Sequence, residues 1–118
     1  MSLNSLIINT LKPTKQLVRF QSLRDTDNSP SAYILFFNAN ERGSHHGDDQ
    51  ELSTEYLIQI DIFSKGDYTN LVKQVKDLMS SAGFRRQMTT ESYENDTKYY
   101  HKTMRFIYEE DVQWQQLV

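Results

Sequence analysis

Two adjacent segments with different hydrophobic periods constrain this chain more than any other feature. Residues 54–63 (TEYLIQIDIF) alternate, with Tyr56, Ile58, Ile60 and Ile62 on one side of a strand and Gln59 and Asp61 on the other. The turn Ser64-Lys65-Gly66-Asp67 follows. Residues 67–82 then place Leu71, Val72, Val75, Leu78, Met79 and Ala82 at i, i+3, i+4 spacing, which makes one apolar helical stripe. Asp67 is suited to cap this helix, and Gly83 stands where a left-handed terminator is expected. A helix with one apolar stripe beside a strand with one apolar face is a packing instruction: the helix should lie across the Tyr56/Ile58/Ile60/Ile62 face.

The other segments extend this unit. Leu3, Leu6, Ile7 and Leu11 suggest a short N-terminal helix, with Ser2 as its cap and Pro13 just beyond its end. At about two and a half turns it is too short to be stable alone, so it must dock. Residues 15–23 read as a half-buried strand, 24–31 (RDTDNSPS) as turn chemistry, and 32–38 (AYILFFN) as a strand apolar on both faces. Such a strand belongs in the sheet interior or at a subunit contact. Residues 39–53 are the most polar stretch and show no periodicity, so they are expected as a long, mobile loop. A hairpin should form from 84–93 and 98–108, joined by Glu94-Asn95-Asp96-Thr97. Residues 112–118, with Trp114, follow as a tail. The expectation is one α+β domain over 1–118, ordered α-β-β-β-α-β-β. It would hold a mainly antiparallel sheet of about five strands packed against one long helix, plus the short N-terminal helix.

Composition excludes several function classes. The 118 residues contain no Cys, so a disulfide scaffold, a thiol nucleophile and a Cys-type zinc site are excluded. A net charge of −3 disfavours a protein that coats nucleic acid. No apolar run approaches the ~20 residues of a membrane span. A basic segment followed by an apolar one is not visible at the N-terminus, so no secretory signal is expected.

Candidate chemistry is sparse. His45, His46, Asp48 and Asp49 in SHHGDD are metal-ligand types, but neighbouring residues of an extended segment point apart and no second ligand cluster lies near. A solvated loop is the plainer reading, and no metal or cofactor is expected. His101 is a possible general base, yet no nucleophile or carboxylate dyad accompanies it in sequence. Phosphate-loop, GxSxG and HExxH motifs are absent. Arg85, Arg86, Lys98, Lys102 and Arg105, interleaved with Tyr93, Tyr99 and Tyr100, invite a nucleic-acid reading. Glu91, Glu94, Asp96, Glu109 and Glu110 nearly cancel that charge, so cross-strand ion pairing is favoured instead. Seven Tyr, six Phe and one Trp exceed what one helix-backed sheet readily buries, which points either to partner surfaces or to a core of large side chains.

Four short motifs carry a family resemblance: Ile60-Asp61 with Phe63, Gly83-Phe84, Tyr93-Glu94 with Asp96-Thr97, and His101 with Arg105-Phe106 and Tyr108. Together they span 56–108, about half the chain. In order and spacing this half resembles the tail-terminator (tail completion, or head-to-tail joining) proteins of long-tailed phages and prophages. The resemblance implies a structural protein without catalysis or cofactor. It would form a ring, usually of six subunits, on the end of the tail tube. Its partners would be further copies of itself, the tail-tube protein and the head connector or head-closure protein, with no membrane and no specific nucleic-acid binding. Its place would be the virion's head–tail junction, after assembly in the host bacterial cytoplasm. A closing ring needs two different complementary patches. The residues expected there are Tyr33, Leu35 and Phe37, and from the last hairpin Arg85, Arg86, Tyr99, His101 and Arg105. Glu41, Arg42, Asp48 and Asp49 are the candidates for a docking or pore-lining loop. The alternatives are a head-side connector or head-closure protein, a small nucleic-acid- or ligand-binding module, and a metal-dependent hydrolase built on His45, His46, Asp48 and Asp49.

Overall fold

A computed structural model describes residues 2–47 and 50–111. The elements are α1 (Leu3–Leu11), a 3-10 turn (Lys12–Thr14), β1 (Leu17–Phe20), a second 3-10 turn (Asp25–Asp27), β2 (Ala32–Gly47), β3 (Gln50–Ser64), α2 (Thr69–Ser81), β4 (Arg85–Glu94) and β5 (Tyr99–Asp111). The five strands form one sheet in the order β1-β2-β3-β5-β4. The β1/β2 pair is parallel and the other three pairs are antiparallel, so the α+β sheet is mixed.

Local chemistry accounts for the element ends. The Ser2 hydroxyl accepts from the Ser5 amide at 3.1 Å and caps α1. Lys15 and Gln21 both adopt positive φ and bracket β1, which is therefore shorter than the strand expected over 15–23. The expected single long helix is not present: α1 has 9 residues and α2 has 13. The Asp67 carboxylate accepts from the Thr69 amide and hydroxyl at 2.9 and 2.7 Å, which delays the first helical residue to Thr69. At the other end Gly83 takes φ +96°, a conformation that a side chain would disfavour, and ends α2.

Both helices lie on one face of the sheet. There Ile34 and Phe36 of β2, Ile58, Ile60 and Ile62 of β3, and Met104 and Phe106 of β5 meet Ile7 and Leu11 of α1 and Val72, Val75 and Met79 of α2. The apolar face of β3 thus packs where its alternation predicts, with Tyr56 half-buried at its end. Each fully buried side chain of this kind contributes about 1.5–3 kcal/mol.

The polar stretch 39–53 departs most from expectation. Its described residues are paired strand, with Glu41 opposite Tyr56, Arg42 opposite Glu55 and Gly43 opposite Thr54. On the other side of β3, Ser53 to Leu57 pair with Asp111 to Ile107 of β5. Backbone pairing does not depend on side-chain polarity, so a strand can form here without a hydrophobic period. The ladder slips between Asn38 and Asn40 and on both sides of His45, which removes the regular alternation as well. Asp48 and Asp49 lie outside the described residues, as does the tail 112–118. The 16 residues of β2, at about 3.3 Å each, reach about 50 Å. That matches the 52 Å long axis of a molecule only 26 by 24 Å across. The three strands β2, β3 and β5 therefore extend from the body as an arm.

Candidate functional site

Five of the expected site residues, Tyr33, Leu35, Tyr99, His101 and Arg105, gather on the sheet face opposite the helices. Tyr33 stacks on Phe63 with ring centroids 4.6 Å apart, and Tyr99 meets Tyr33 edge-on at 5.3 Å. The Tyr99 hydroxyl donates to the Pro30 carbonyl, and Lys65 Nζ sits 5.1 Å from the centre of the Tyr99 ring. Leu17, Leu23 and Leu35 pack around these rings. Burial, with Tyr99 nearby, pushes the Tyr33 phenol up to about 12. The Arg19 guanidinium makes two hydrogen bonds to Asp27, of 3.1 and 3.0 Å, and so holds the 3-10 turn against β1. The same bonds, with the Arg24 amide, hold the Asp27 carboxyl below the usual carboxylate range.

Next to the rings lies a polar network centred on Asp61, which is only 7 % exposed. Its Oδ1 is 2.8 Å from His101 Nε2 and accepts from the Thr103 hydroxyl at 2.6 Å. Gln59 Nε2 donates to both carboxylate oxygens, at 3.2 and 3.0 Å, and Gln59 Oε1 accepts from Arg105 Nε at 3.1 Å. His101 also stacks on Phe63 at 4.1 Å. Register explains the gathering: Gln59 faces Arg105, Asp61 faces Thr103 and Phe63 faces His101 across β3 and β5. In a Ser-His-Asp relay the carboxylate and the nucleophile hydroxyl engage opposite ring nitrogens. Here Asp61 and Thr103 both approach the same nitrogen, and the Thr103 hydroxyl already donates to Asp61. The arrangement fixes the side chains rather than setting up that chemistry.

The remaining expected residues are distributed elsewhere. Phe37 is half-buried along β2. Arg85 and Arg86 are exposed on β4, opposite Ile107 and Phe106 of β5, and as successive residues they point to opposite faces. Glu41 is exposed on the arm, and Arg42 is the next residue of the same strand. His45 and His46 belong to the β2 backbone, opposite Ser53 and Glu51. Among the described residues no three His, Asp or Glu side chains gather where they could hold a metal ion. No helix among the described residues is long and apolar enough to cross a membrane.

On the helix side a second group lies beside the β3–α2 turn. Tyr100 and Tyr93, each 45 % exposed, stand 4.8 Å apart, and Tyr68 lies 6.1 Å from Tyr100. Tyr68 and Tyr100, with Lys65, Gly66 and Asp67, line an open cavity of about 380 Å³. The Tyr68 hydroxyl donates to Glu91 at 2.8 Å, and Lys102 is 3.4 Å from the same oxygen. These bonds lower the Glu91 carboxyl, while burial and the Glu91 bond raise Tyr68 to about 12. Sequence reasoning placed Gln59 and Asp61 on a polar strand side, Asp61 and Phe63 in a resemblance motif and Glu91 among the hairpin acids, but it assigned none of these to a site and did not single out Thr103 or Tyr68. The available signal was a carboxylate at the centre of an apolar strand, but its partners depend on register.

No protein-family model matches the chain, and no curated protein matches it either.

Proposed function

We propose that this chain is a structural assembly protein that caps a phage tail tube and joins it to the head, acting as an oligomeric ring without catalysis. The observation that carries this reading is the unfinished state of the sheet. One face holds the core, while the opposite face carries rings and the Asp61 network with no helix over them among the described residues. The outer strand β4 is exposed along nearly all its length. β1 covers β2 only from Tyr33 to Phe36, so the outer edge of the rest of β2 has no strand partner among the described residues. Unpaired edges are liabilities that native chains blunt or pair. These two edges differ in sequence, as a heterologous ring contact requires. The resemblance over 56–108 supplies the phage setting, with the head-side connector as the alternative within the same class.

The test is solution mass by light scattering over a concentration series, with negative-stain images of the heaviest fraction and of tail tubes mixed with the protein. A discrete ring with a central hole, or a cap on the tube end, is expected. A chain that stays monomeric at every concentration and leaves tube ends bare overturns the reading. Binding of a small ligand in the Tyr68/Tyr100 cavity with no assembly would favour the binding-module alternative.

A further inference from the structure

The outer strand β4 carries its charge in two blocks. Arg85 and Arg86 stand at its start, and Glu91 and Glu94 lie toward its end. The strand is therefore neutral as a whole, positive at one end and negative at the other. Both arginines are exposed, and neither side chain forms an ion pair among the described residues. Glu94 accepts from the Thr97 hydroxyl through one oxygen, whereas Glu91 is held by Tyr68 and Lys102. The register with β5 fixes the face that each residue takes. Arg86, Thr89, Glu91 and Tyr93 oppose Phe106, Met104, Lys102 and Tyr100. Phe106 and Met104 belong to the core under the helices, so those four share the helix face. Arg85, Met88, Thr90, Ser92 and Glu94 take the other face, and Gln87 sits at the bulge.

We propose that β4 pairs antiparallel with β4 of a second copy, about a two-fold axis through Thr90. Three observations select a second copy as the occupant. The outer edge of β4 has no strand partner among the described residues, and an edge is best satisfied by another edge. Facing residues of a two-fold strand pair must come from the same sheet face. An axis through Thr90 meets that condition along the whole strand. Thr89 then meets the partner's Glu91 and Met88 the partner's Ser92. Past the bulge, Arg86 meets the partner's Tyr93 and Arg85 the partner's Glu94. The bulge supplies the one-residue offset that sets Arg85 against Glu94, so each strand's positive end lies on the other's negative end. Finally, Met88 and Tyr93, large apolar side chains 40 % and 45 % exposed, both gain a neighbour. An axis through Thr89 would set Arg86 against Glu91 instead. That carboxylate already has Tyr68 and Lys102, and Tyr93 and Glu94 would be left without counterparts. A ring contact through the β4 edge competes with this pair, so the pair is the form of the free protein before assembly.

Sedimentation equilibrium tests this. One strand pair offers less than the ~1,600 Å² of a standard interface, so a dimer is expected at about 0.1–1 mM protein. Arg85→Glu and Glu94→Arg should each weaken it about tenfold, and the chain carrying both exchanges should dimerise like the original. Residues 85 and 94 lie at the two ends of one strand, about 30 Å apart, so this rescue requires a second copy. The chain has no Cys, so Thr90→Cys introduces a single thiol. Mild oxidation should join two copies of that variant several times faster than two copies of Arg85→Cys, whose thiols lie at opposite ends of the pair. Circular dichroism checks that each variant folds, and the two cysteine variants decide if a charge variant does not. A monomer throughout the range overturns the proposal. So does a dimer indifferent to either exchange, one that the double exchange fails to restore, or one that Thr90→Cys traps no faster than Arg85→Cys. Rings formed without a two-fold dimer overturn it too. In each of these cases a cap on tail-tube ends would still support the assembly reading, and bare tube ends would count against that reading alone.

Discussion

His101 Nε2 lies 2.8 Å from Asp61 Oδ1, joining two residues that stand 40 positions apart in the chain. The pair sits on a sheet face without a helix, and Asp61 is nevertheless buried by its neighbours. Thr103 and Gln59 direct their donors at the same carboxylate, so removing it leaves three side chains without their acceptor. Asp61→Ala should therefore cost about 2–3 kcal/mol of unfolding free energy, and Asp61→Asn about half as much. Urea unfolding midpoints measure both. A neutral Asp61→Ala would show that the network contributes nothing to folding.

The Arg19–Asp27 pair gives a prediction in the acid range. Asp27 is held below its ordinary value of 3.8, first by its side-chain bond to Arg19 and then by the Arg24 amide. The stabilisation is thus complete above the unfolded carboxylate value and is lost as pH falls through the lower folded one. Arg19→Gln should move the Asp27 titration upward, toward the ordinary value, in a carboxyl NMR titration. The same variant should also reduce the loss of stability on acidification. An unmoved Asp27 would contradict the assignment of Arg19 as the main cause.

Alkaline titration reports on two phenols. Tyr33 and Tyr68 are both raised to about 12, principally by burial. Folding favours their neutral forms, so this stability holds below the ordinary value of about 10 and declines as pH rises through about 12. An absorbance titration should show Tyr33 and Tyr68 ionising late. Tyr33→Phe and Tyr68→Phe should each remove one of them. A titration curve left unchanged by both substitutions above about pH 10 would contradict the packing of both rings.

Thr89 faces Met104 across β4 and β5, and its hydroxyl oxygen is buried with no hydrogen-bond partner among the described residues. Thr89→Val replaces that oxygen with a methyl of similar size. The variant should gain about 1 kcal/mol, since an unsatisfied buried polar group carries its full desolvation cost. Thermal unfolding decides the sign, and a loss would mean that the hydroxyl has a partner in solution.

Residues close together in the chain made much of this fold legible. The element order, the stripe on α2, the Ser2 cap and the glycine terminator all follow from patterns within a few residues. Ile58, Ile60 and Ile62 point to the helices because a strand's alternation is itself local. Helix length was less legible, because the Asp67 side chain bonds Thr69 in a turn instead of continuing a helix.

The remainder depends on pairing between distant strands, which no local period encodes. Tertiary structure set β1 parallel to β2 and turned the described residues of the polar stretch 39–53 into two sides of a ribbon. It also brought Asp61 to His101 through the β3/β5 register. The same pairing sets Glu55 opposite Glu109 and Thr54 opposite Glu110, just past Ile107, which faces Arg85. In sequence, Glu109 and Glu110 lie among the bases of the last hairpin and nearly cancel them. In the fold they lie beyond the end of β4, because charge is distributed by where the backbone ladders end, and those ends are decided by long-range hydrogen bonds.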